Sequence, residues 1–183
     1  MTSKSDQEIV KLSLEDSDNF LELMNRYEAP LLRYIHRLCR VSEHDAEDIL
    51  QETFISTYQN LNNYDPQLKF SSWIYRITHN KAISHYRKNK NPSISLDDNE
   101  VLYKKLKSDL DLPTETEQKM EKERIGKILD TLSPKYRDVL VLKFLEDKDY
   151  TEISDILKIP MGTVATQINR AKKQLKKLIQ KNA

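Results

Sequence analysis

Gly126 and Gly162 are the only glycines among 183 residues, too few for the many tight turns that sandwiches and barrels need. With 32% of the residues charged as well, the composition favours helices. The length suits one ordinary domain or two small ones. An all-α chain is therefore expected, and the apolar spacing places its helices.

From 18 to 40, Phe20, Leu23, Met24, Tyr27, Leu31, Ile35 and Leu38 form a helical stripe that Pro30 interrupts, so a kink or two helices are possible. Ser42 is a good N-cap for the next helix, and acids in its first turn oppose the positive helix end. The core face of that helix reads Ala46, Ile49, Leu50, Phe54, Tyr58 and Leu61. Asn62–Pro66 makes a loop, and a third helix runs from about Ser71 to Lys88. Residues 91–116 contain Pro92, Pro113, scattered Ser and an excess of acids, which reads as a flexible acidic linker. Val101–Leu106 is a possible short helix within it. Two small helical domains are thus expected, over 15–90 and 117–181. In the second, Ser133 and Pro134 start an apolar helix, Thr151–Leu157 is short, and Lys158–Gly162 is a turn before a last helix from Thr163 to about Gln180.

Charge is segregated along this frame. The net charge is only +1, yet Pro66 to Leu96 holds no carboxylate and Met161 to Ala183 holds none either. The second helix, by contrast, opens with Glu43, Asp45, Glu47, Asp48 and Glu52 and no Lys or Arg among them. One surface suits a basic protein partner and the others suit nucleic acid. In the last helix, Val164, Ile168, Ala171, Leu175 and Leu178 form the buried stripe. The opposite face offers Thr163, Ala165, Thr166, Gln167 and Asn169 for base edges, with Arg170, Lys172 and Lys173 for phosphates. A short helix, a turn with Gly and a longer helix make a helix-turn-helix.

Other classes find little support. Cys39 stands alone, which excludes an internal disulfide and fits a reducing compartment. MTSKSDQEIV has no apolar region, so neither a signal peptide nor a membrane span is expected, and the protein is read as cytoplasmic. His36 and Cys39 share a helix face without a third ligand, and His79 and His85 point in different directions. No metal, no cofactor and no catalytic residue is assigned.

The motifs in order resemble one family. The run Asp45–Phe54, the run Phe70–Asn80, Leu132–Arg137, and Pro160–Val164 with Arg170 and Ala171 are similar to the conserved regions of the extracytoplasmic-function sigma factors, the smallest group of the bacterial sigma-70 family. That resemblance implies a non-enzymatic transcription factor that directs core RNA polymerase to promoters. It assigns the second helix to the polymerase clamp coiled coil through Asp48, Gln51 and Glu52; Asp45, at i against Asp48 and Glu52 at i+3 and i+7, joins their stripe. It assigns the third helix and the preceding loop to the −10 element, with Tyr64, Trp73, Arg76, Asn80, Arg87 and Lys88 as the residues and Asn80 bonded to a flipped base. Trp73 is equally open to core packing. The last helix would read the −35 duplex. A polymerase flap contact, an anti-sigma factor and a stress or envelope response are further implications of the family.

Two rival readings stand beside it. A dimeric helix-turn-helix regulator would bind an operator alone, but gives no reason for pairing Asp48, Gln51 and Glu52 with Trp73–Asn80. A protein-only helical adaptor leaves the acid-free C-terminal segment unexplained.

Overall fold

The computed structural model describes residues 4–39, 41–89, 101–102, 104–106 and 131–181, and these residues contain helices and no strand. Helix α1 spans Asp6–Glu15, α2 Phe20–Leu38, α3 Glu43–Gln59 and α4 Phe70–Asn89. After the linker come α5 (Pro134–Leu140), α6 (Tyr150–Leu157) and α7 (Met161–Lys181).

Helices α2, α3 and α4 pack on one another and α1 lies against α2. The apolar stripes supply the core: Leu23, Leu31, Ile35 and Leu38 meet Ala46, Ile49 and Phe54, with Phe70, Ile74 and Ala82 from α4. Pro30 stands inside a single helix, so α2 is one element. Helix α1 lies before the expected start of the domain at 15. It begins in a capping box, with the Ser5 hydroxyl accepting from Glu8 N–H and the Glu8 carboxylate accepting from Ser5 N–H at 2.7 Å. It buries Ile9 and Val10, and Arg26 and Tyr27 of α2 both bond Asp6.

In the C-terminal part α5 and α6 both pack on α7. Pro134 stands at the first turn of α5, where its missing N–H is not needed. The apolar helix expected to reach Leu145 instead widens to a π turn over Val141–Leu145, with Glu146 N–H bonded to Val141 O at 3.0 Å. Within the expected linker, residues 101–102 and 104–106 are helical; Leu102 and Leu106 are fully buried and Lys105 pairs with Asp147 at 2.8 Å. Residues 91–100 and 107–116 lie outside the described residues, as does 117–130 of the second expected domain.

The two sets of helices are packed together, α6 lying along α4. The Arg37 guanidinium donates to the Glu146 carboxylate at 2.7 Å and to Leu145 O at 2.9 Å, and the Tyr75 hydroxyl donates to Glu146 at 2.9 Å. The Lys148 ammonium sits 4.2 Å from the Tyr75 ring centroid. Deeper in, the Tyr34 hydroxyl and His79 Nδ1 are 3.1 Å apart, and His79 Nε2 is 3.7 Å from Asp138. Arg137 is buried beside Asp138, and its Nε and one terminal nitrogen have no hydrogen-bond partner among the described residues. Burial pushes His79 down to about 4, so it is neutral at pH 7, and its long contact with Asp138 is not an ion pair. Burial pushes the Asp138 carboxyl up to about 6, with Arg137 opposing.

These two groups act in opposite directions. The Asp138 contribution to stability is complete below its ordinary value of 3.8 and is lost as pH rises through about 6. The His79 contribution is complete above 6.5 and is lost as pH falls through about 4. Asp138→Asn removes the first and leaves the second. Denaturant unfolding at pH 6.5 and at pH 4 is expected to show the variant losing more stability on acidification than the wild type, by on the order of 3 kcal/mol. Equal losses in both proteins contradict this assignment.

Candidate functional site

Ser42 caps α3, its hydroxyl accepting from Asp45 N–H at 3.1 Å and donating to the Asp45 carboxylate at 2.7 Å. The Ser42 hydroxyl bond is the main cause holding Asp45 below the usual carboxylate range, and His85 adds to it. The acidic stripe divides along its length. Asp45 and Glu52 lean toward α4, Asp45 lying 3.8 Å from His85 and Glu52 3.3 Å from Lys81. Asp48, on the rim of the groove with α4, and Gln51 form the exposed face of the helix. That face continues through two residues the sequence reading did not assign to a site, Ile55 at 57% exposure and Tyr58 at 44%. Tyr58 was expected in the core; its ring packs on Phe20 at 5.2 Å while the side chain remains open to solvent. Ile55 lies seven residues after Asp48, so its place on the charged stripe was legible from spacing.

The expected polymerase and −10 residues meet in one groove. Asp48 and Glu52 of α3 face Asn80, Lys81 and His85 of α4 across a space of about 600 Å³. Asn80 and Arg87 are exposed and Arg76 is half-buried. Lys88 belongs to α4, but its side chain lies outside the described residues.

Tyr64 is a correction, and Trp73 takes the core-packing alternative left open for it. Both are interior, 7% and 6% exposed, and form a ring cluster with Phe70 and Tyr27 at centroid distances of 5.3 to 5.7 Å. The Tyr64 hydroxyl donates to Leu68 O at 2.6 Å, which ties down the loop. Little ring surface is left for a base, so core packing describes both. The basic segment is also less open than its composition implies. Lys69 pairs with Asp149 at 3.4 Å and Glu152 at 3.6 Å, carboxylates from the other end of the chain.

In the helix-turn-helix, Asp149 and Glu152 make a capping box at the start of α6. The left-handed residue after α6 is Lys158, at φ 54, and the Ser154 hydroxyl donates to Ile159 O at 2.6 Å. The turn was expected to use its glycine. Gly162 instead lies in the first turn of α7 without a positive φ, and a Cβ there would meet nothing within 4 Å. Val164, Ile168, Ala171 and Leu175 are fully buried and Leu178 partly so. Thr166, Asn169, Arg170 and Lys173 are exposed, while Thr163, Ala165, Gln167 and Lys172 are half-buried. The Thr166 hydroxyl donates back to Gly162 O at 2.8 Å, which leaves its methyl as the distinctive outward group. Lys172, expected on phosphate, lies 5.5 Å from the Phe144 ring centroid. No helix among the described residues is long and apolar enough to cross a membrane.

A family model described as Sigma-70 region 2 matches residues 23–91, and one described as Sigma-70, region 4 matches 122–175. The chain is 36% identical over 169 residues to the ECF RNA polymerase sigma factor SigW of Bacillus subtilis (strain 168), covering 88% of this chain and 89% of that one. It is 32% identical over 170 residues to the ECF RNA polymerase sigma factor SigE of Mycolicibacterium smegmatis, covering 88% and 62%. Among solved structures it is similar to CnrH in complex with the cytosolic domain of CnrY, at a TM-score of 0.70 and 21% identity over 98% of this chain and 100% of that one. The sigma factor RpoE in complex with the anti-sigma factor NepR from Bartonella quintana gives 0.57 at 17% identity, over 87% and 97%.

The core rings and the groove residues are expected to separate in one experiment. Trp73→Ala should cost about 3–5 kcal/mol of stability in denaturant unfolding, as loss of a packed aromatic does. Asn80→Ala, at an exposed groove position, should stay within about 0.5 kcal/mol. A Trp73→Ala protein as stable as the wild type contradicts the packing described.

Proposed function

We propose, for a chain that belongs to the extracytoplasmic-function sigma factors of the sigma-70 family, a division of labour between two modules. Residues 15–90, extended by α1, grip core RNA polymerase and open the −10 element. Residues 117–181 read the −35 duplex, and 91–116 join the two. Promoter DNA and core polymerase are the partners, the polymerase supplies the catalysis, and the cytoplasm is the compartment. An anti-sigma factor is a further proposed partner; a solved sigma factor of similar fold is in complex with one.

One observation carries this reading: two exposed faces of opposite chemistry stand on different modules. Asp48 and Gln51, with Ile55 and Tyr58 beside them, present carboxylate, amide and apolar surface to a basic helix of the clamp. Asp45 and Glu52, already paired with His85 and Lys81, orient the groove. In the groove Asn80 has an exposed amide to pair with an extruded base, and Arg76 and Arg87 hold phosphates. Tyr64 and Trp73 support this surface from beneath, and Lys88 extends its charge.

On α7 the exposed acid-free face supports duplex reading. Gln167 and Asn169 have amides that can pair with adenine, and Ala165 and the Thr166 methyl suit a thymine methyl, so the −35 element leans toward A·T. Thr163 at the helix start joins these base-reading positions, Arg170 and Lys173 further along serve phosphates, and Lys172 has a smaller part because it lies over Phe144. An operator-binding dimer would explain this helix alone and leave the face of α3 without a purpose.

Run-off transcription with purified core polymerase is expected only when this protein is added. Asp48→Lys should weaken core binding by roughly tenfold or more, since like charge then faces the partner, and should leave the melting curve nearly unchanged. Undiminished core binding by this variant would remove α3 from the polymerase interface.

A further inference from the structure

Helix α1 reaches beyond α2 to the loop that leads into α4. It packs on the short turn Leu61–Asn63 as well as on α2. The Gln7 carboxamide donates through Nε2 to Pro66 O at 2.8 Å, a bond between residues 59 apart in sequence. The same side chain bears on the Tyr64 hydroxyl; burial pushes that phenol up and Gln7 opposes the rise. The bond is not needed to fasten α1. Its first turn is already held by Asp6, which bonds Arg26 and Tyr27, and its inner face by the buried Ile9 and Val10. Gln7 itself is exposed.

The loop has the greater need of it. Within the loop the Tyr64 hydroxyl donates to Leu68 O at 2.6 Å. The Leu68 N–H donates to Asp65 O at 3.0 Å, and the Gln67 N–H to the Asp65 carboxylate at 2.9 Å. These bonds shape the turn but join it only to itself. Pro66 is exposed, and a proline has no N–H, so its carbonyl is the one backbone hydrogen-bonding group it offers. Beside it a hollow of about 160 Å³ lies between Val10, Lys11 and Leu14 of α1 and Leu61, Asn62 and Tyr64. A space of that size leaves this flank of the loop without close packing. The bond from Gln7 spans where side chains do not.

We propose that Gln7 is a positioning residue for promoter opening: by holding Pro66 it keeps the loop ahead of α4 in the conformation that accepts the extruded −10 base. Gln7 itself touches no DNA. The proposal rests on the assignment of the loop and α4 to the −10 element, and it adds a residue from a helix outside both. Ordering a loop costs free energy at every residue fixed. A strand that must order the loop on arrival therefore binds less well than one that finds it ordered.

The test compares the wild type with Gln7→Met, which keeps the side chain's length and neutrality and removes its donor. Both proteins are expected to unfold at the same urea midpoint, as an exposed substitution allows. Amide hydrogen exchange of the free full chain should be about fivefold faster at Tyr64 and Leu68 in the variant, roughly what one hydrogen bond contributes, and unchanged in α2. Holoenzymes made with core polymerase are then compared on a promoter that the wild type transcribes, with open complex read by permanganate reactivity of the −10 thymines. Gln7→Met should give about threefold less, a smaller change because apparent affinity follows the fraction of molecules with the loop held. An abasic site moved along the non-template −10 strand locates the extruded base as the position where the wild type loses most. On that abasic template the two holoenzymes should open equally, since nothing is left for the loop to accept. Unchanged exchange, equal opening on the intact promoter, or a deficit that persists on the abasic template overturns the proposal. Should Gln7→Met fail to fold, Gln7→Ala carries the same expectations. A wild-type holoenzyme that opens no promoter would count against the sigma-factor reading, while the exchange comparison still decides whether Gln7 holds the loop.

Discussion

Helix α4 is packed from two sides. Phe70, Ile74 and Ala82 face α2 and α3, while Tyr75 and His79 face groups of the C-terminal helices. An ordinary surface helix buries a single stripe and gives its other face to water. Burial on both sides explains why α4 is rich in rings and poor in carboxylates: its second neighbour supplies them. Glu146, Asp149, Glu152 and Asp138 all lie on the C-terminal side of that contact.

The two contacts of α4 differ in kind. The inner one is apolar and closely packed, as in a domain core. The outer one buries Arg137 and Asp138, half-buries Arg37, Glu146 and His79, and leaves nitrogens of Arg137 without a hydrogen-bond partner among the described residues. A buried polar contact with orphaned donors gains less on closing than an apolar one, because desolvation offsets the attraction.

The legible parts of this chain were those that one helix face decides. The stripes of α2 and α7 read correctly because each buries a single face at helical pitch, and the exposed positions Thr166, Asn169, Arg170 and Lys173 follow from that of α7. Long-range partners were not legible: nothing near Tyr75 in sequence announces Glu146, or near Lys69 announces Asp149. Aromatic residues beside cations carry the same signal whether they stack on bases or on one another, so Tyr64 and Trp73 could be placed only by the fold. Helix α1 was legible and missed, since Ser5 and Glu8 form a capping box just ahead of Ile9 and Val10. Composition pointed to Gly162 for the turn, whereas Lys158 takes the left-handed conformation.

Trp73 is the only tryptophan and lies in the N-terminal bundle, whereas helical circular dichroism reports both sets of helices. Equilibrium urea unfolding followed by both signals tests directly whether α4 couples the two modules. Coupling through α4 predicts coincident transitions, one midpoint and one slope for both probes, as for a single cooperative unit. A biphasic dichroism curve, with tryptophan fluorescence following only one of its steps, would contradict it.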